Sequence, residues 1–231
     1  MASKWIQTFK FAYYGLCRRK LKKVRAGRSP ESLVDFIFHD CWQLLRPGQM
    51  PQEILGLASM LSEIKPKYLL EIGTGRSGGT LFLFSRLATE NATLVSVDLP
   101  GGAYGESYPK RKVPFFKSFA LAAQTVLPLR ADSHSPETLT KVKEIFKGKQ
   151  LDFLFIDGDH TYEGVKEDFE IYSPLVRKGG LIAFHDIVVH PPEARCEVNR
   201  FWNELKPGYE HWEFVEDWEQ KRFGIGLIKK I

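Results

Sequence analysis

The run Tyr68-Leu69-Leu70-Glu71-Ile72-Gly73-Thr74-Gly75-Arg76-Ser77-Gly78-Gly79-Thr80-Leu81-Phe82-Leu83-Phe84 decides how this chain is read. Its apolar start predicts a buried strand, its glycines a tight turn, and Thr80 onward a helix. A strand, a glycine turn and a helix in that order let backbone approach a nucleotide closely. Outward from this unit the pattern repeats. Strands are expected near 67–73, 93–98, 127–131, 151–157 and 180–185, and helices near 78–89, 115–125, 135–147, 161–176 and 194–205. Such alternation means an α/β fold, a parallel sheet with helices on both faces. Two helices are expected before it. One starts at Ser29-Pro30-Glu31, with serine as N-cap and proline at the first helical position, and runs to about Arg46, where Pro47-Gly48 stops it. The other covers about Gln52 to Glu63. The alternation breaks at the end, where 211–215 and 223–228 read as two strands joined by a short polar turn.

Gly73, Gly75 and Gly78 satisfy G-x-G-x-x-G, a weak signal alone. Glu71 narrows it. A dinucleotide places its pyrophosphate over the helix N-terminus, and an acid inside the turn would repel that anion. S-adenosylmethionine has no phosphate and carries a cationic ammonium and a sulfonium, so an acid there attracts it. Asp98 ends the next strand, where a carboxylate has two acceptor oxygens for a ribose diol. Asp132-Ser133 ends the third. Taken singly, Asp98 also reads as a solvated strand-end acid and Asp132 as a helix N-cap.

The strand near 151–157 delivers Asp157 to the carboxyl edge of the sheet, and the strand near 180–185 delivers His185 and Asp186 to the same edge. Adjacent strands lie about 4.8 Å apart, so Asp157, His185 and Asp186 can converge on one metal ion. His160 is the expected general base for an attacking hydroxyl, because histidine titrates near neutral pH. His190 is a second candidate. The competing reading has Asp159 and His160 capping the helix at Thr161, and His185-Asp186 as a hydrogen-bonded strand end.

The stretch Glu71 to Gly79 resembles motif I of the class I S-adenosylmethionine-dependent methyltransferases. The resemblance implies a Rossmann-like sheet of seven strands, mostly parallel, closed by a C-terminal antiparallel hairpin strand. It implies a cofactor site made by Glu71, Gly73, Thr74, Gly75, Ser77, Gly78, Asp98, Asp132, Ser133 and Asp157, with Asp132-Ser133 at the adenine. The strand-end acids also resemble the metal-dependent O-methyltransferases of the catechol and caffeoyl-CoA type, which carry a catalytic lysine where His160 stands. Ile156-Asp157-Gly158-Asp159-His160, Tyr162-Glu163-Gly164-Val165 and Phe184-His185-Asp186-Ile187 look closer to another branch, the bacterial small-molecule and sugar O-methyltransferases grouped with cephalosporin-hydroxylase-like proteins. Val198-Asn199-Arg200-Phe201-Trp202 fits it too, and the likeness covers roughly residues 50–206. It implies methylation of a hydroxyl on a small acceptor, a sugar or a phenol, assisted by Mg2+ or another divalent metal. His185 departs from the catechol pattern by replacing a carboxylate, whereas magnesium prefers oxygen. The rival readings are a nicotinamide-dependent oxidoreductase and a non-catalytic scaffold on a methyltransferase fold.

The 231 residues suit one α/β domain with an appendage. The net charge of +5 is uneven: residues 1–30 hold nine Lys or Arg and no acid, and the rest hold 24 basic and 28 acidic side chains. Residues 1–50 are therefore read as a basic N-terminal helical extension and 51–231 as the methyltransferase domain. The mildly acidic body argues against nucleic acid as a partner. Trp5, Phe9, Ala12, Tyr13 and Leu16 fall at helical spacing beside Arg18-Arg19-Lys20 and Lys22-Lys23, a basic amphipathic helix suited to self-packing, to a homodimer, or to peripheral contact with an anionic membrane. Cys17, Cys41 and Cys196 form no CxxC pair, so reduced, structural thiols in a cytoplasmic protein are expected. Residues 100–112 form a polar loop in which Lys110, Arg111 and Lys112 could meet an anionic substrate, or simply face solvent.

Overall fold

A computed structural model describes residues 15–40, 43–101 and 108–231. Trp5, Phe9, Ala12, Tyr13, Cys41 and the centre of the 100–112 loop lie outside them. The elements in chain order are α1 (Pro30–His39), α2 (Pro51–Ile64), β1 (Tyr68–Ile72), α3 (Gly79–Leu87), β2 (Thr93–Asp98), α4 (Val113–Lys117), β3 (Thr125–Arg130), α5 (Pro136–Phe146), β4 (Leu151–Ile156), α6 (Tyr162–Tyr172), β5 (Val176–His185), α7 (Val198–Leu205), β6 (Glu210–Phe214) and β7 (Ile225–Lys229). The seven strands form one sheet in the order β3-β2-β1-β4-β5-β7-β6. The first five are parallel. The last strand, β7, inserts antiparallel between β5 and β6. This is the expected sheet with its closing hairpin.

The central strands are apolar on both faces because both faces are covered. In β4, Phe153 and Phe155 join one core with α1, α2 and α3, whereas Leu154 and Ile156 join the other with α5, α6 and α7. Strand order reverses between β1 and β4, so the crevice outside their carboxyl ends is the switch point where ligands bind in open α/β sheets.

Three boundaries differ from expectation. Helix α1 begins as read, with Ser29 accepting from the Ser32 amide at 3.3 Å, but ends at His39. Asp40 turns extended, its carboxylate 3.0 Å from Lys20 Nζ, and Gln43 takes a left-handed φ of 59°. The helix expected over 115–125 is only Val113–Lys117. Beyond it Gln124 folds back, donating to the carbonyls of Ser85 (2.8 Å) and Thr89 (2.9 Å), and the chain enters β3 two residues early. The link between β6 and β7 is a long loop, held by the buried Glu53 of α2. Its carboxylate accepts from the amides of Glu216 and Gly224 and from Gln220 Nε2.

Residues 15–23 are helical. Their apolar face is Cys17 and Leu21, continued by Val24 just past the helix, all buried, whereas Leu16, expected on that face, is 52% exposed. The segment is latched by Arg86 of α3, whose guanidinium donates to Val24 O (2.7 Å), Leu21 O (3.3 Å) and Phe119 O (2.6 Å). Cys17 and Cys196 are both buried. Among the described residues, no helix is long and apolar enough to cross a membrane.

Candidate cofactor and metal site

The glycine turn sits over the end of β1. Gly73 takes φ 88° and its amide donates to Val97 O at 2.8 Å, so the turn is pinned to β2. Gly78 takes φ 68° at the N-cap of α3, a region only glycine enters freely. Ser77 Oγ accepts from the Gly79 amide at 3.1 Å. Asp98, at the tip of β2, accepts from the Gly75 amide at 2.8 Å and so fastens the turn.

Glu71 lies beneath this turn rather than on its surface. It is 2% exposed, and its two oxygens accept from the hydroxyls of Thr80 and Ser96. Thr74 Oγ1 bonds Ser96 Oγ in turn, which links the acid to the loop above it. Burial pushes the Glu71 carboxyl up to about 8, against the pull of the two hydroxyls. Burial thus favours the protonated acid, and a positive charge placed nearby would favour its ionised form. Thr80 and Ser96 were not singled out in the sequence, where each is one polar residue in an apolar run.

Asp132 does not cap α5, whose N-cap is Ser135. Its carboxylate instead accepts from the His134 amide at 3.0 Å, shaping the loop after β3. That loop is anchored from α6: Tyr172 Oη donates to Ser133 O at 2.6 Å, and His134 Nε2 lies 3.3 Å from the fully buried Asp168. The Asp168 carboxylate raises His134 to about 9. Asp168 was missed, although its place between Val165 and Tyr172 on the buried face of α6 was a visible signal.

Of the basic triplet, Lys112 is committed inward. Its ammonium donates to Arg76 O and lies 5.8 Å from the Phe116 ring centroid, and burial lowers its pKa. Lys110 and Arg111 are exposed.

Beside the cofactor crevice, β4 and β5 bring five titratable side chains together. His185 Nδ1 is 3.0 Å from Asp157 Oδ1 and 3.3 Å from Asp186 Oδ2. His160 faces both acids, with Nδ1 3.3 Å from Asp186 Oδ2 and Nε2 3.6 Å from Asp157 Oδ1. His190 Nε2 is 3.1 Å from Asp186 Oδ1, and its Nδ1 is 2.8 Å from Val188 O. Asp159 accepts from the Thr161 amide at 2.9 Å, so it turns the chain into α6 while His160 faces the cluster. Burial opposes charge on all these groups, but their mutual attraction wins. Asp157 is held below and Asp186 well below the ordinary carboxylate range, and His185 well above the ordinary histidine value. His185 is 4% exposed, yet neither ring nitrogen has a hydrogen bond of acceptable geometry. A buried imidazole between two carboxylates with its nitrogens unsatisfied fits a ligand set, and Asp157, His185 and Asp186 place their donor atoms within 4.8 Å of one another.

Residues 70–187, just over half of the chain, match the family described as methyltransferase domain. The chain belongs to that family. The match begins in β1 and ends just past His185-Asp186, so it spans both halves of the site in the methyltransferase domain. An uncharacterized protein of Acanthamoeba polyphaga mimivirus is 28% identical over 142 residues, 60% of this chain and 61% of that protein. The chain thus spans less than two thirds of the length of that relative. Among solved structures, an O-methyltransferase from Bacillus cereus in complex with S-adenosylhomocysteine is similar at TM-score 0.58 and 16% identity, covering 86% of this chain and 91% of the other. MycE, a methyltransferase of the mycinamycin biosynthetic pathway in complex with Mg and S-adenosylhomocysteine, is similar at TM-score 0.57 and 14% identity, over 88% of this chain and 55% of that one. These likenesses show the Rossmann-like methyltransferase fold.

Proposed function

We propose that this methyltransferase domain transfers the methyl group of S-adenosylmethionine to a hydroxyl of a small molecule, a sugar or a phenol in class. The observation that carries the reading is one crevice with two adjoining halves. The glycine turn with Asp98 and the anchored Asp132-Ser133 loop suit an adenosyl group. The cluster at Asp157, His160, His185 and Asp186 adjoins that half at the same sheet edge and suits an acceptor hydroxyl. A nicotinamide site accounts for neither that cluster nor the antiparallel β7.

In this reading Asp98 holds the ribose hydroxyls, Ser133 borders the adenine, and Gly73 to Gly78 admit the methionyl part. Asp157, His185 and Asp186 would hold a divalent cation. Such an ion, when bound, supplies positive charge that lowers the pKa of the acceptor hydroxyl. His160, standing between Asp157 and Asp186, takes the hydroxyl proton as the oxygen attacks the sulfonium methyl, and it does so in its neutral form, which those two carboxylates shift to higher pH. Holding the two reactants in line is the larger part of the rate gain. We read residues 1–50 as an extension of the domain at 51–231, whose described helical segment 15–23 is held on it by Arg86. The exposed Arg18, Arg19, Lys22 and Lys23 support peripheral contact with an anionic membrane, and the same extension is a candidate homodimer surface.

The test is incubation with methyl-labelled S-adenosylmethionine and a panel of sugars and phenols. The reading predicts label on an acceptor oxygen. Transfer to nitrogen alone, or no transfer to any hydroxyl by protein that binds the cofactor, would contradict it.

A further inference from the structure

We infer that His160, Asp186 and Cys196 form a second ligand set beside Asp157 and His185, one that takes a borderline-soft divalent ion of the zinc and cobalt class. The inference rests on the same strand-end site, but not on methyl transfer. The donor atoms of His160, Asp186 and Cys196 all lie within 4.8 Å of one another. A zinc ion with bonds of about 2.0–2.3 Å holds its ligands roughly 3.3–3.8 Å apart, so small rotations close the set. The cluster is fixed from behind, because the Glu197 amide donates to His160 O at 2.8 Å and so ties the segment carrying Cys196 to the loop carrying His160. Cys196 is nine-tenths buried and His160 is partly open, which gives an ion a path in and a sheltered sulfur to meet.

The surroundings of Asp186 add further donors. His185, on its other side, is a buried imidazole with Nδ1 3.0 Å from Asp157 Oδ1 and 3.3 Å from Asp186 Oδ2. Neither of its nitrogens has a hydrogen bond of good geometry among the described residues. The neighbourhood of Asp186 therefore offers two carboxylates, imidazoles from His160, His185 and His190, and a thiol. Magnesium prefers an oxygen shell, whereas imidazole and thiolate select zinc and its neighbours. As the sulfur–metal bond forms, Cys196 releases its thiol proton to solvent. An ion held at a His160 nitrogen takes the lone pair that proton acceptance needs, so the two roles are alternatives, and a zinc-class ion on this set is expected to suppress methyl transfer.

The test is titration of the full chain with Co2+ alone, followed by ultraviolet and visible absorption. The expected result is a sulfur-to-cobalt charge-transfer band that equal Mg2+ does not produce. Cys196→Ser is expected to abolish the band and weaken Co2+ binding by about tenfold or more. Should that variant fail to fold, wild-type protein still answers: Zn2+ should protect Cys196 from alkylation, read peptide by peptide against Cys17 and Cys41. Co2+ binding without a thiolate band, or equal alkylation of Cys196 with and without Zn2+, would overturn the inference. Binding of S-adenosylhomocysteine, measured without metal, reads the methyltransferase assignment independently of either result.

Discussion

Gly73 passes so close to Asp157 that a β-carbon on the glycine would fall 1.8 Å from the Asp157 carbonyl oxygen. The two halves of the site are therefore one mechanical unit. The Asp157 amide donates to Ile72 O at 2.8 Å, and the Gly73 amide donates to Val97 O at the same distance, so β2, β1 and β4 are cross-tied at their carboxyl ends. Gly73→Ala must both strain a φ of 88° and push the Asp157 backbone away. We expect a loss of more than about 2 kcal/mol of stability, together with weakened cofactor binding. Urea unfolding checks it, and a variant as stable as the parent would contradict the clamp.

Glu71 makes stability fall as pH rises. Its folded pKa of about 8 lies above the unfolded value near 4.5, so the folded state keeps a proton that the unfolded state loses. The contribution is fully present below about pH 4.5 and is lost progressively up to about pH 8. Glu71→Gln should flatten the decline of melting temperature between pH 5 and 8. An unchanged pH profile would show that Glu71 is ionised in the free protein.

Most of the fold was legible in the sequence, because buried parallel strands leave unbroken apolar runs and the glycine turn marks the first crossover. What was not legible depended on contacts between distant segments. The helix expected through Gln124 gives way because Gln124 finds buried carbonyls on α3 and in the turn after it, and Arg86 takes the carbonyl of Phe119. Both choices are tertiary. Asp157, His185 and Asp186 were legible because strand ends on neighbouring strands must meet. Cys196 was not, because it reaches the cluster from a loop of no fixed period. Glu71 was found for its place in the motif, but its burial under Thr80 and Ser96 was not foreseen.

Among the described residues, Arg86 is buried with no carboxylate partner and serves the carbonyls of the N-terminal helical segment and of the turn after α4. Arg86→Ala leaves those carbonyls without their donor. We expect a cost of about 2–4 kcal/mol and faster amide exchange over residues 15–28. Hydrogen exchange that is unchanged there would remove Arg86 from the role of latch.

The two halves of the crevice should separate by mutation. Asp98→Ala should weaken S-adenosylhomocysteine binding by about ten- to a hundredfold, the loss of a charged acceptor for two hydroxyls. Asp157→Ala and Asp186→Ala should largely retain that binding and abolish methyl transfer. Equal loss of affinity in all three would refute this division of labour.

Calorimetric titration of the full chain with S-adenosylhomocysteine, in parallel with NAD, tests the central claim most directly. The account predicts saturable binding of S-adenosylhomocysteine with micromolar affinity and no heat from NAD. Binding of NAD in its place, or of neither nucleotide, would contradict the methyltransferase reading and leave only the fold.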